Sequence, residues 1–223
     1  MHNLVLISVY LWVILACRLE SKTKETTSTV VDQPLIAEKQ MDYDTTLWTE
    51  LTPADGYVID IRYATADNFV KEAVYPCGRC FLKPPVARAL SKVSYKLKEQ
   101  GYKLILFDCY RPRPVQYKLW KKVPNPDYVA NPAEGSMHNR GVAIDLGLAD
   151  MSGKELNMGT PYDFFGPEAH HDYTKHPEKV QNLRTLLKTT METHGFQSIR
   201  TEWWHYSFAT GSYPLSDWQW QCN

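Results

Sequence analysis

Two amphipathic stretches, each opened by proline and closed by glycine, limit what this chain can fold into. Pro84-Pro85 starts the first. Val86, Leu90, Val93 and Leu97 then recur at i, i+4, i+7 and i+11, one face of a 3.6-residue period. Gly101 follows as the stop. Pro177 opens the second, Val180, Leu183, Leu187 and Met191 carry its apolar face, and Gly195 ends it. Each runs into a strand-like segment: residues 102–107, apolar apart from Lys103, and residues 196–208, a strand or hairpin around a Trp pair. Residues 57–61 and 142–146 read as further strands, residues 114–120 as a short helix, and residues 124–135 and 150–162 as loops. Helices and short strands mix without βαβ alternation or an internal repeat. The pattern predicts an α+β fold: a single compact domain with a mainly antiparallel central sheet and flanking helices.

The 223 residues suffice for one domain with a sizeable core. A 43% apolar and 22% charged composition excludes a disordered chain. The charge balances to zero, and no basic stripe points to nucleic acid. Seven Trp and fourteen Tyr fit either an aromatic core or an aromatic-lined groove.

The first residues stand apart. Residues 4–16 form an apolar run broken only by Ser8, short for a membrane span of roughly 20 residues but suited to a secretory leader. It ends Ile14-Leu15-Ala16-Cys17, which is similar to a lipobox, where cleavage before Cys leaves a thiol that receives lipid. A lipid anchor through Cys17, a plainly cleaved leader and an uncleaved anchor all remain open. Residues 1–17 are therefore read as a leader, 18–41 as a polar tether and 42–223 as the functional domain. The expected location is outside the cytoplasm, in a periplasm or on a membrane as a lipoprotein. There, Cys77, Cys80, Cys109 and Cys222 are expected to form disulfides, and four cysteines allow three full pairings.

Chemistry concentrates in two clusters. One runs Ser136-Met137-His138-Asn139-Arg140-Gly141-Val142-Ala143-Ile144-Asp145, and the other is Glu202-Trp203-Trp204-His205. Imidazole nitrogens and carboxylate oxygens both bind zinc, and a catalytic zinc takes three protein ligands. His138, Asp145 and His205 would supply them, with Glu202 as general base. Spacing alone is weak support, and His170, His171, His176 and His194 compete as ligands. On a regular strand, residues three apart face opposite sides, so Glu202 and His205 can share a metal only across a turn or bulge.

Further motifs add to these clusters. In chain order come Ile61-Arg62-Tyr63-Ala64-Thr65-Ala66-Asp67-Asn68-Phe69, Asp108-Cys109-Tyr110-Arg111-Pro112, the Ser136 cluster, Met158-Gly159-Thr160-Pro161-Tyr162-Asp163-Phe164, Gly195-Phe196, and Glu202-Trp203-Trp204-His205-Tyr206. Together they resemble the D-alanyl-D-alanine dipeptidase family (the VanX type) of zinc peptidases. The resemblance implies one Zn2+ per chain on His138, Asp145 and His205, and Glu202 as base. It implies that Arg111 stabilises the tetrahedral intermediate, where spacing alone equally allows a salt bridge to Asp108. It places Tyr63, Ser136 and Asp163 along a small substrate pocket, with the Asp163 carboxylate suited to a substrate ammonium. The implied substrate is a small D,D-dipeptide met in cell-wall turnover. The alternatives are a D,D- or L,D-carboxypeptidase acting on longer stem peptides and a non-catalytic wall-binding lipoprotein. The lipobox-like start, Cys77-Gly78-Arg79-Cys80 and the tail with Trp218 and Trp220 depart from the family pattern and leave the pocket rim open. A reporter fused to residues 1–40 is expected to leave the cytoplasm, and retention in the cytosolic fraction would refute the leader.

Overall fold

A computed structural model describes residues 41–126, 128–208 and 211–222. The leader and nearly all of the tether lie outside these residues. Among these described residues, seven strands and three α-helices follow in order: β1 (Thr49–Leu51), β2 (Val58–Ile59), β3 (Cys80–Leu82), α1 (Pro84–Lys98), β4 (Lys103–Asp108), α2 (Arg113–Lys122), β5 (Ala143–Ala149), α3 (Glu178–Thr193), β6 (Phe196–Ile199) and β7 (Glu202–Phe208). The fold is α+β, as the pattern predicts.

The central sheet has the order β2-β4-β5-β7-β6. Every pairing is antiparallel except β2 with β4, which is parallel, so the sheet is mixed. The expected strand at 57–61 shrinks to Val58–Ile59 because the chain turns at once into a 3-10 turn at Arg62–Ala64. The strand expected at 142–146 instead runs to Ala149. Pairing with β4 along its length explains the extension, because Lys103 of β4 pairs with Ala149. The short strands β1 and β3, which form a separate antiparallel pair, carry no clear sequence signal.

Both long helices lie where the periodicity puts them. Val86, Leu90, Val93 and Leu97 are all fully buried, and so are Leu187 and Met191 of α3. Each such side chain withdrawn from water contributes roughly 1.5–3 kcal/mol. The two helices pack on each other, α1 also on β4 and α3 on β5, β6 and β7, so they cover one face of the sheet. On β5, Ile144, Leu146 and Leu148 alternate with Asp145 and Gly147. One strand thereby serves an apolar layer and a polar site.

Two disulfides resolve the pairing. Cys80 joins Cys109, and Cys77 joins Cys222. The first ties β3 to the segment after β4, where the Tyr110 N–H also donates to the Phe81 carbonyl at 2.9 Å. The second fixes the tail, where Trp218 stacks on Trp48 at 5.1 Å and Trp220 meets Phe81 at 5.6 Å. Much of the aromatic excess is therefore core. The Cys77–Cys222 bond spans 145 residues of sequence. Replacing both partners with Ser is expected to cost about 2–5 kcal/mol by denaturant unfolding, and an unchanged midpoint would show that the tail adds no restraint.

Candidate metal centre

The polar site forms where β5 and β7 run side by side. Their register pairs Asp145 with His205 directly. His138 arrives from a 3-10 turn, His138–Arg140, that precedes β5. Gly141 closes that turn at φ 70°, donating to the His138 carbonyl at 3.0 Å. A side chain here would be strained by that backbone and would strike the Trp48 ring, so the bend into β5 requires glycine.

Three donor atoms converge. His205 Nδ1 lies 2.9 Å from Asp145 Oδ1, His138 Nε2 lies 3.3 Å from the same oxygen, and the two ring nitrogens are 3.1 Å apart. Zinc with bonds of about 2.0–2.1 Å has tetrahedral ligand–ligand edges of roughly 3.3 Å, so the set is the right size. The protonation pattern also fits. His138 Nδ1 donates to the Cys109 carbonyl at 2.7 Å, which leaves a lone pair on Nε2 of the neutral ring. The Tyr162 hydroxyl donates to Asp145 Oδ2 at 3.0 Å, leaving Oδ1 for a cation. Among the described residues these three form the one His/Cys/Asp/Glu group suited to a metal. His170, His171, His176 and His194 are not part of it. Burial opposes the charge of Asp145, but His138 and His205 hold the carboxyl well below its ordinary range.

The bulge demanded between Glu202 and His205 is present. Ser198 of β6 pairs with Tyr206, yet its neighbour Ile199 pairs with Glu202, so one step on β6 spans four on β7. Glu202 Oε2 thereby comes within 4.0 Å of His205 Nδ1. Burial, with His205 opposing and Asp145 and Asp163 reinforcing it, pushes the Glu202 carboxyl up to about 7.

Arg111 is buried beside them, its Nη2 4.0 Å from Asp145 Oδ2. The salt bridge to Asp108 forms as well: Nε and Nη2 donate to Asp108 Oδ2 at 3.0 and 2.6 Å. Nη1 donates to Gln116 of α2 at 2.9 Å. Three of the five guanidinium N–H groups are thus engaged, and two are left for a ligand. Asp108 is itself fixed by the Tyr75 hydroxyl at 2.7 Å and the Cys109 N–H at 3.0 Å.

A cavity of about 280 Å³ brings Tyr63, Ser136 and Asp163 together with the triad, Glu202 and Arg111. Such a volume lies at the small end for ligand sites. The Ser136 hydroxyl also accepts from the His138 N–H at 3.2 Å. Asp163 is held at φ 59°, a conformation few non-glycine residues adopt. Tyr63 reaches its Oδ1 at 3.4 Å, while Oδ2 is buried without a partner among the described residues. Burial, then the charge of Asp145, pushes this carboxyl up to about 8. Trp218 and Trp220 do not line the cavity, but Leu215 of the tail packs against Gly135, which does.

Sequence reasoning missed Tyr75, Gln116 and Tyr162 as parts of this network. Tyr162 adjoins Asp163 in one of the family motifs, a signal that could have found it. Tyr75 and Gln116 left no signal, because their partners come from other elements.

Comparison with known proteins bears directly on this geometry. The pattern of the D-ala-D-ala dipeptidase family matches residues 50–221. The chain belongs to that family. A D-alanyl-D-alanine dipeptidase of Escherichia coli (strain K12) is 38% identical over 165 residues, covering 74% of this chain and 86% of that protein. One from Enterococcus faecalis (strain ATCC 700802 / V583) is 33% identical over 176 residues, covering 70% and 87%. Among solved structures, the vancomycin resistance D,D-dipeptidase VanXYg in complex with a D-Ala-D-Ala phosphinate analogue aligns over 72% of this chain and 66% of that one. Identity is 18% and the TM-score 0.39, too loose a match to carry an argument. Membership makes the chain a peptidase. Added to metal-free protein, one equivalent of zinc is expected to raise the unfolding temperature, and Asp145→Asn is expected to abolish that rise. Calorimetry checks both, and an unchanged melt in the parent protein would refute the centre.

Proposed function

We propose that this chain is a zinc-dependent D-Ala-D-Ala dipeptidase with His138, Asp145 and His205 as the metal ligands. The observation that carries the reading is the convergence of three lone pairs inside a small cavity that also holds Glu202, Arg111 and Asp163. Zinc bound there supplies Lewis acidity, polarising a carbonyl and easing deprotonation of water.

The rest of the mechanism follows from this chain's own side chains. Glu202 takes a proton from the attacking water and returns it to the leaving amine, a shuttle suited to a carboxyl tuned near neutrality. Arg111 presents its two unengaged N–H groups to the oxygen that gains negative charge. Asp108 and Gln116 hold the guanidinium in place before substrate arrives, so little reorganisation is needed. Asp163 Oδ2, buried and unpartnered, receives the substrate ammonium. Tyr63 and Ser136 line the same cavity. Burial keeps the Asp163 carboxyl largely neutral until the ammonium enters, whose charge favours the ionised form, so the pocket favours a free amino terminus and a dipeptidase over a carboxypeptidase acting on longer stems. The leader-like residues 1–17 suggest that the dipeptide comes from peptidoglycan turned over outside the cytoplasm, with Cys17 as the lipid attachment point.

Hydrolysis of D,D-, L,D- and L,L-dipeptides, free and amino-acylated, with and without chelator, tests the reading. Free D-Ala-D-Ala is expected to be cleaved, chelator to stop cleavage, and acylation to block it. Equal rates on the acylated substrate would overturn the dipeptidase assignment. Glu202→Ala should abolish turnover. Arg111→Ala should lower kcat about 10²–10³-fold, the effect of losing about 2.7–4 kcal/mol of oxyanion stabilisation.

A further inference from the structure

Gln116 touches more than Arg111. It lies wholly buried on α2. Its Oε1 accepts from Arg111 Nη1 at 2.9 Å, and its Nε2 donates to the Ala130 carbonyl at 2.8 Å. Turning the amide over would set donor against donor and acceptor against acceptor, so these two partners fix its orientation. An apolar side chain of similar size would leave an arginine N–H and a backbone carbonyl without that partner.

Ala130 belongs to the wall of the catalytic cavity. Tyr128, Val129, Ala130 and Gly135 line that cavity together with Arg111. The same wall is fastened at a second point. The Tyr128 ring stacks on Phe165, centre to centre at 4.5 Å. Phe165 lies 5.2 Å from Phe69, and Phe69 meets Tyr63 edge-on at 6.1 Å. The Arg111 guanidinium in turn sits over the Tyr63 ring at 5.1 Å. These contacts close a circuit. It runs from Arg111 through Gln116 to the wall, then from Tyr128 through three aromatic rings back to Arg111.

We propose that Gln116 is a positioning residue that couples this wall, residues 128–135, to Arg111, so that turnover depends on where the wall stands. The inference rests on the role given to Arg111 above. Both bonds from Arg111 to Asp108 reach one oxygen, Oδ2, which is a single pivot. The bond to Gln116 is the third point that stops the guanidinium swinging about it. A substrate side chain that displaces the wall draws Ala130 and Gln116 with it. The two unengaged N–H groups then turn away from the oxygen that gains charge. Bulk at the wall is thereby read as a loss of kcat, not of affinity alone.

Double-mutant cycles on the zinc-loaded full chain, with free D-Ala-D-Ala as substrate, test the coupling. Gln116→Met is expected to keep its zinc and to lower kcat about tenfold, since ångström-scale misplacement of a catalytic group costs up to about 10²-fold. In an Arg111→Ala background the same substitution should change kcat less than about twofold, because the group it positions is gone. A merely structural role would cost the same in both backgrounds. Amide hydrogen exchange over residues 128–135, read without metal, should quicken in Gln116→Met. Tyr128 is 39% exposed, so Tyr128→Ala threatens no core packing. It should lower kcat in the parent but not in Arg111→Ala, and it decides the matter should Gln116→Met fail to fold. Additive losses in kcat, a Gln116→Met loss confined to KM, or unchanged exchange would each overturn the coupling and leave the dipeptidase reading intact. Failure of the parent to cleave free D-Ala-D-Ala would overturn both.

Discussion

Three lone pairs held about 3 Å apart repel one another unless a cation sits among them, and this chain is built to hold them there. The carbonyl of Cys109 takes the proton side of His138, and the Tyr162 hydroxyl takes the second oxygen of Asp145. Both supports turn electron density toward the same point. The fold supplies the rest through register: β5 against β7 sets Asp145 across from His205, and the turn ending at Gly141 swings His138 over them.

Arg111 depends on the same layer. Asp108 is the residue that β4 sets across from Asp145, so the strand that carries Asp145 and the strand whose last residue holds Arg111 are adjacent by pairing. Two carboxylates facing one another would destabilise the sheet, and a guanidinium between them offsets that cost. For Glu202 and Asp163, by contrast, burial outweighs the pull of nearby cations, and their carboxyls rise toward neutrality. One pocket therefore holds acids tuned in opposite directions, a division suited to binding a metal with one and moving protons with another.

Much of this was legible in the chain because local rules governed it. Proline, a 3.6-residue period and glycine marked α1 and α3, and burial of Val86 through Leu97 follows directly from that period. The three-residue spacing of Glu202 and His205, once both are set to face one site, demands a break in β7. The partners of Arg111 were harder to read. Asp108 could be guessed from its nearness, but Gln116 and Tyr75 reach the arginine network only through tertiary packing. The disulfides show the same limit, since nothing local distinguishes Cys109 from Cys222 as the mate of Cys80. Strands as short as β1 and β3 offer too few residues for alternation to register.

The bond from Cys80 to Cys109 closes immediately behind the carbonyl that orients His138 and two residues before Arg111. Disulfides form in oxidising compartments and are rare where thiols are kept reduced. A newly made chain, still reduced, lacks this tie and the one that pins its tail. Thiol oxidation therefore supplies both ties only after the chain is made, one of them beside the turn that brings His138 to the cavity.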